Sequence, residues 1–206
     1  MKSWKNFGGK QMIKISVDQL VTLPKETFSG KTICFITDTV WGIGTVVDGN
    51  VKIGINKIYN LKKRSLDKPL AVLVSNLNDV VEHVKITSEY IYDLMKYWPG
   101  ALTLIFQKND HFYDDVTMTE TIGIRMPNSK VALRILDYLG PIATTSINIS
   151  GEASINDPKM IESKFNDYID YLVIDTHELS KISSTVVDVS TKDLKILREG
   201  DLKIDV

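Results

Sequence analysis

Apolar residues in this chain fall into short runs cut off by polar ones. Ile33 to Ile36, Leu70 to Val74, Leu102 to Phe106, Ile122 to Arg125, Ile142 to Thr145, Tyr171 to Ile174 and Thr185 to Val189 are each four or five residues long. They are rich in Val, Ile, Leu and Thr, the composition of strands. Between several of them the spacing changes to that of a helix. Ile91, Leu94, Met95 and Trp98 recur at helical intervals behind a cap at Ser88, and Val131, Ile135, Leu136 and Leu139 do so ahead of Gly140. Asp157 and Pro158, in front of Met160, Ile161 and Phe165, combine a capping acid with a first-turn proline. The alternation predicts an α/β (α+β) fold, a mixed sheet flanked by helices with one continuous core, in a single domain over residues 1–206.

Hydroxyl groups cluster where three of these runs meet polar sequence. Thr37-Asp38-Thr39 follows Ile36, Thr144-Thr145-Ser146-Ile147-Asn148 follows Ala143, and Ser183-Ser184-Thr185 leads into Val186-Val187. The first cluster reads as the point where the chain leaves the core, and the three together predict one shared cleft built at strand ends. Between them, Lys62, Lys63, Arg64 and Lys68 put four cations within seven residues, closed by Pro69. Read as an extended, proline-stiffened loop, this segment presents Lys62 and Arg64 on one side and suits an anion.

Composition narrows the options. With 206 residues, 43% of them hydrophobic, the chain can bury a single core, and a formal net charge of -1 gives no global attraction to nucleic acid or anionic membrane. The lone Cys34 lies inside an apolar run and reads as packing. The N-terminus lacks a signal-peptide pattern, and no run reaches the ~20 apolar residues of a membrane span, so a cytoplasmic, reducing location is expected. Gly30-Lys31-Thr32 precedes a strand where a P-loop would follow one, and Gly42-Ile43-Gly44 lacks the third glycine of a dinucleotide loop. His83, His111 and His177 show no ligand spacing, and no metal site is read.

Seven segments in order resemble the YrdC/Sua5 threonylcarbamoyl-AMP synthase family. Ile36 to Gly44 matches its P-T-D/E-T-V-Y-G-L-G segment, Lys62 to Leu70 its K-x-R-P-x-x-K-P-L loop, and Trp98 to Thr103 its W-P-G-x-L-T. Thr121 to Pro127, Ser146 to Gly151 (S-A-N-x-S-G), Ser184 to Asp188 (S-T-V-V-D) and Leu197 to Gly200 (L-R-x-G) complete the set. Departures fall at Ile36, Ser65 and Thr145, each in place of proline, at Trp41 for tyrosine, at Ile147 for alanine, at Asn156 for threonine, and at Leu73, where some members have histidine.

The resemblance implies a YrdC-like twisted mixed sheet with a concave ligand cleft and no C-terminal Sua5-type extension. It implies synthesis of L-threonylcarbamoyladenylate from L-threonine, bicarbonate and ATP with release of pyrophosphate, for N6-threonylcarbamoyladenosine in tRNA. Thr39, Arg125, Ser146 and Ser184 would hold L-threonine. Lys62, Arg64, Lys68, Thr121, Asn148, Asn156 and Arg198 would line the ATP site, with Lys62 and Arg64 carrying the catalytic charge. Mg²⁺ is expected with ATP, and tRNA or downstream threonylcarbamoyl-transferase proteins are possible partners. The alternative from the residues is a YrdC-like module that binds RNA or nucleotide through the basic segment and Tyr59 without synthase activity. A third reading, an ATPase or carbamoyl-transferring relative, would cleave ATP whether or not threonine is present.

Overall fold

The computed structural model describes residues 11–63, 69–87 and 89–204. In chain order these form β1 (Ile13–Ile15), α1 (Val17–Leu20), β2 (Ile33–Ile36), β3 (Trp41–Val46), α2 (Val51–Lys62), β4 (Ala71–Leu73), α3 (Asn78–Val81), β5 (Val84–Lys85) and α4 (Tyr90–Met95). There follow β6 (Leu102–Lys108), β7 (Thr121–Arg125), α5 (Lys130–Leu139), β8 (Ile142–Ser146), α6 (Pro158–Phe165), β9 (Tyr171–Val173), β10 (Thr185–Asp188) and β11 (Lys195–Arg198). All strands join one mixed sheet in the order β1-β9-β2-β3-β8-β4-β7-β6-β10-β11, with β5 paired to β6. Parallel pairs (β1 with β9, β9 with β2, β4 with β7, β6 with β10) are combined with antiparallel ones, as the sequence predicts for a mixed sheet.

Local signals explain the helices. Ser129 caps α5 by accepting from Ala132 N, and Gly140, with φ at +87°, ends it in a conformation that suits a residue without a Cβ. Asp157 accepts from Lys159 N ahead of Pro158 to start α6. The helix expected behind Ser88 begins at Tyr90; Ser88 itself lies outside the described residues.

Burial is on both sides of the sheet, not in one continuous core. In β2, Ile33 and Phe35 join a cluster with Leu20 of α1 and Ala132, Ile135, Leu136 and Leu139 of α5, whereas Cys34 and Ile36 join a larger cluster with Ile55 and Ile58 of α2, Ile91 of α4 and Ile161 of α6. The period of two thus sends alternate residues to opposite helical layers.

Two elements depart from the sequence reading. The chain does not leave the core at Thr37: residues 37–40 form a hairpin turn, with Thr37 N donating to Val40 O, and β3 returns antiparallel and wholly buried. Lys62 is not on an extended loop but is the last residue of α2, which Lys63 closes in the left-handed region at φ 49°. Gly54 lets α2 approach β3 so closely that a Cβ there would overlap the Thr45 side chain.

Candidate active site

Strands β3, β8, β4, β7, β6 and β10 are neighbours in the sheet, and the face they share opens into a cavity of about 320 Å³. It is the face that α1 and α5 cover further along. On β8, Ile142 packs into the cluster beneath α5, while Thr144 and Ser146, next on the same face, line the cavity. On β4, Leu73 belongs to both environments and Ala71 to the cavity. The site therefore lies on a sheet face where helical cover stops, lined by mid-strand residues such as Thr144 and Gly123 and by residues at or just beyond strand ends, among them Thr37, Thr39, Arg125, Ser146, Ser184 and Arg198. The three hydroxyl clusters do converge there, through Thr37 and Thr39, Thr144 to Ser146, and Ser183 with Ser184.

Arg125 lines this cavity although its side chain is only 7% exposed. Its Nε donates to Gly100 O at 2.9 Å, Nη1 to Thr39 Oγ1 at 2.7 Å and Nη2 to Asp38 Oδ1 at 2.6 Å. Burial pulls the guanidinium pKa below its ordinary value; Asp38 opposes that, and Arg198 adds a smaller like-charge effect in the same direction as burial. Asp38 sits in a turn tied down from outside: Ser180 N donates to Asp38 O, Lys181 N to Thr39 O, and His177 Nε2 lies 3.2 Å from Thr37 O. Nothing in the sequence pattern signals this strap.

Arg198 reaches the cavity from β11. Its Nε and Nη2 donate to Ser184 O at 3.0 and 2.8 Å, and Nη2 also to Ser184 Oγ at 3.2 Å. Ser184 Oγ pairs in turn with Thr103 Oγ1 at 2.8 Å. Partial burial lowers the Arg198 pKa as well, and among the described residues no carboxylate lies within ion-pair distance of it.

Lys62 is placed differently from the sequence expectation. It is 2% exposed, and its ammonium donates to Ser146 O at 2.5 Å, Asn148 O at 3.2 Å and Asn148 Oδ1 at 2.8 Å. These contacts turn the amine inward, into the segment that follows β8, and it is absent from the cavity lining. Asn148 is likewise internal: Nδ2 donates to Ile149 O and Glu152 O, and Oδ1 accepts from Ser146 Oγ at 2.8 Å. Asn156 accepts from Trp41 N at 3.3 Å and does not line the cavity. Trp41 itself is buried. Thr39, Thr121, Arg125, Ser146, Ser184 and Arg198 are brought together on the cavity wall; Arg64 and Lys68 lie outside the described residues.

Thr103, Thr144, Gly42 and Gly123 also line the wall without having been singled out for a role. Their signal was present in the period of two: Thr121, Gly123 and Arg125 face one way, Ile122 and Ile124 the other.

Comparison with known proteins locates this arrangement. The Sua5/YciO/YrdC family model, described as telomere recombination, matches residues 26–200. A Methanocaldococcus jannaschii protein, provisionally named a threonylcarbamoyl-AMP synthase, is 31% identical over 183 residues, 88% of this chain and 86% of its own. The Bacillus subtilis threonylcarbamoyl-AMP synthase is 32% identical over 176 residues, 84% of this chain but 50% of its own. The structure of Pyrococcus abyssi Sua5 complexed with L-threonine superposes with a TM-score of 0.79 at 28% identity, covering 92% of this chain and 57% of that one. The chain thus spans about half the length of the Bacillus and Pyrococcus proteins.

Proposed function

The chain belongs to the Sua5/YciO/YrdC family, and we propose that it is a nucleotidyltransferase that makes L-threonylcarbamoyl-AMP from L-threonine, bicarbonate and ATP. The observation that carries this reading is a single cavity in which a buried arginine, a second arginine and several hydroxyls face one another across six strands. Relatives named for that activity, and a neighbour whose structure holds L-threonine, support it.

The reaction asks the protein for no nucleophile of its own. The neutral amine of threonine attacks the bicarbonate carbon and water leaves, carrying away one amine proton and a bicarbonate oxygen; the carboxylate so formed attacks the α-phosphate, and pyrophosphate leaves. Positioning two anionic substrates and offsetting charge are the protein's share, worth up to ~7–11 kcal/mol for proximity in favourable cases. In this reading Arg125, with one N–H left on each terminal nitrogen, takes the threonine carboxylate. Arg198, whose Nη1 is not used by Ser184, and Thr121 serve the nucleotide, with Arg64 and Lys68 as further phosphate cations. Mg²⁺ enters with ATP as part of the substrate. Among the described residues no group of three or more His, Cys, Asp or Glu is placed to hold a metal, and the Asp38 carboxylate is engaged by Arg125. The product would be consumed in tRNA modification in the cytoplasm. Among the described residues no helix is long and apolar enough to cross a membrane.

The test is to incubate the protein with ATP, Mg²⁺ and bicarbonate plus each amino acid in turn and to follow pyrophosphate. Release should require L-threonine and bicarbonate together. ATP cleavage indifferent to threonine, or RNA binding without any turnover, overturns the reading.

A further inference from the structure

Lys62 is a cation the mechanism above does not use. Its ammonium donates to Ser146 O at the end of β8 and to Asn148 O and Oδ1 just beyond it, and the tie is doubled by the backbone, because Ser150 N donates to Lys62 O at 2.9 Å.

The proton positions in this network follow from chemistry. Asn148 Nδ2 lies 2.9 and 2.7 Å from two carbonyl oxygens, which only accept, so that atom is the amide nitrogen and its partner is the oxygen. That oxygen meets Lys62 Nζ and Ser146 Oγ. The serine hydroxyl must therefore donate to it, and its one proton is committed inside the protein. Toward the cavity Ser146 Oγ offers lone pairs alone. Thr144, two residues back on the same face of β8, is in the same state, since its hydroxyl donates to Ile142 O at 3.0 Å. A hydroxyl free to rotate would accept or donate as the ligand required; these two only accept.

We propose that Lys62 is a positioning residue which, through Asn148, locks Ser146 as an acceptor for the amine N–H of the amino acid, leaving the amine lone pair free for bicarbonate. Lys62 contacts no substrate in this arrangement. The assignment rests on the synthase reading, and it divides the amino acid between two recognition elements, its carboxylate on Arg125 and its amine on β8.

The experiment compares L-threonine with 3-hydroxybutyrate, the same molecule without the amine, as competing ligands for the wild-type protein and for Ser146→Ala, Lys62→Met and the double variant. Ser146→Ala should lose about tenfold in threonine affinity and less than about twofold for 3-hydroxybutyrate. Lys62→Met should show the same selective loss, with ATP affinity kept, and adding it to Ser146→Ala should cost no more than about a further twofold. If Lys62→Met proves too unstable to assay, Asn148→Leu, which removes the oxygen that takes the serine proton, must still lose threonine selectively. Equal losses for both ligands, or loss of ATP affinity in Lys62→Met with threonine unchanged, overturn the positioning role while leaving the synthase reading intact. If the wild-type protein binds no threonine at all, both fall.

Discussion

Asp38 Oδ1 accepts from Arg125 Nη2 at 2.6 Å, a pair formed between the β2–β3 turn and the end of β7 with both side chains largely withdrawn from water. The carboxylate fixes the guanidinium plane, and Thr39 and Gly100 O fix it further. Lysine cannot reproduce a three-way fork of this kind. Arg125→Lys should therefore weaken threonine binding by at least tenfold, ~1.4 kcal/mol. Arg125→Ala should also destabilise the fold by ~3–5 kcal/mol, because it strands a shielded carboxylate, and the double variant with Asp38→Ala should recover part of that loss. Calorimetry and denaturation measure the two effects; wild-type threonine binding by Arg125→Lys sinks the carboxylate assignment.

Gly123 faces the cavity from β7. A Cβ built there lies 3.5 Å from Thr103 Cγ2 and 3.9 Å from the nearest atoms of Ala71 and Ile105, ordinary contact distances. Gly123→Val should leave the melting temperature within a few degrees, and valine suits a strand. The added side chain occupies ligand space, so turnover should fall at least tenfold. A stable, fully active variant would show that substrates do not use this part of the wall.

Thr45 Oγ1 is buried without a hydrogen-bond partner, pressed against Gly54 of α2. Removing an unsatisfied buried hydroxyl should help: Thr45→Val is expected to stabilise by ~1 kcal/mol. Gly54→Ala should go the other way, by ~1–3 kcal/mol, even though alanine is the better helix former, because its Cβ would fall 2.0 Å from Thr45 Oγ1. Urea titrations of the two variants give the signs directly. Stabilisation by Gly54→Ala would mean that α2 can shift off β3.

Acid sensitivity should arise in the loop after β6. The hydrogen bond from His83 at 2.7 Å holds the Asp110 carboxyl below its ordinary range, and Lys108 at 2.5 Å, followed by His111, does so for Asp114. Both carboxyls are depressed in the folded state, so their contribution is complete above the ordinary carboxylate pKa of about 4 and is lost as pH falls through the lowered values. The double variant Asp110→Asn, Asp114→Asn should melt below the wild type at neutral pH by a small margin, as exposed pairs do, with the gap closing under acid. Melting curves from neutral pH downward decide it; a gap that is constant with pH removes these pairs as the cause.

Several features could be read from the chain alone because their causes are local. Ser129, Gly140, Asp157 and Pro158 mark helix ends through their own backbone groups, and alternation in Ile33 to Ile36 or Thr121 to Arg125 marks strands through the period of two. Cys34, an apolar-run residue in the sequence, packs as one: it is fully buried, and burial pushes its thiol pKa far up. The convergence of the three hydroxyl clusters was legible for the same reason, as each sits beside a strand the pattern already marks. β3 and α2 were not. Trp41 to Val46 is buried on both faces and carries two glycines, so it shows neither alternation nor a typical strand composition, and the cations of Lys62 to Lys68 mask the helix that ends at Lys62.

What tertiary structure decided is which of these side chains meet the cavity. Ile142, Thr144 and Ser146 point the same way along β8, and the sequence determines that they do; whether that face is packed or open depends on how far α5 reaches over the sheet, a matter of non-local register. The direction of Lys62 was settled in the same manner. A lysine beside Arg64 reads as a cation for an anion, but the end of α2 lies against the end of β8 and the residues that follow it, where the carbonyl oxygens of Ser146 and Asn148 take the ammonium. A buried charge goes to the nearest set of acceptors that satisfies it, and only the folded chain determines where that set lies.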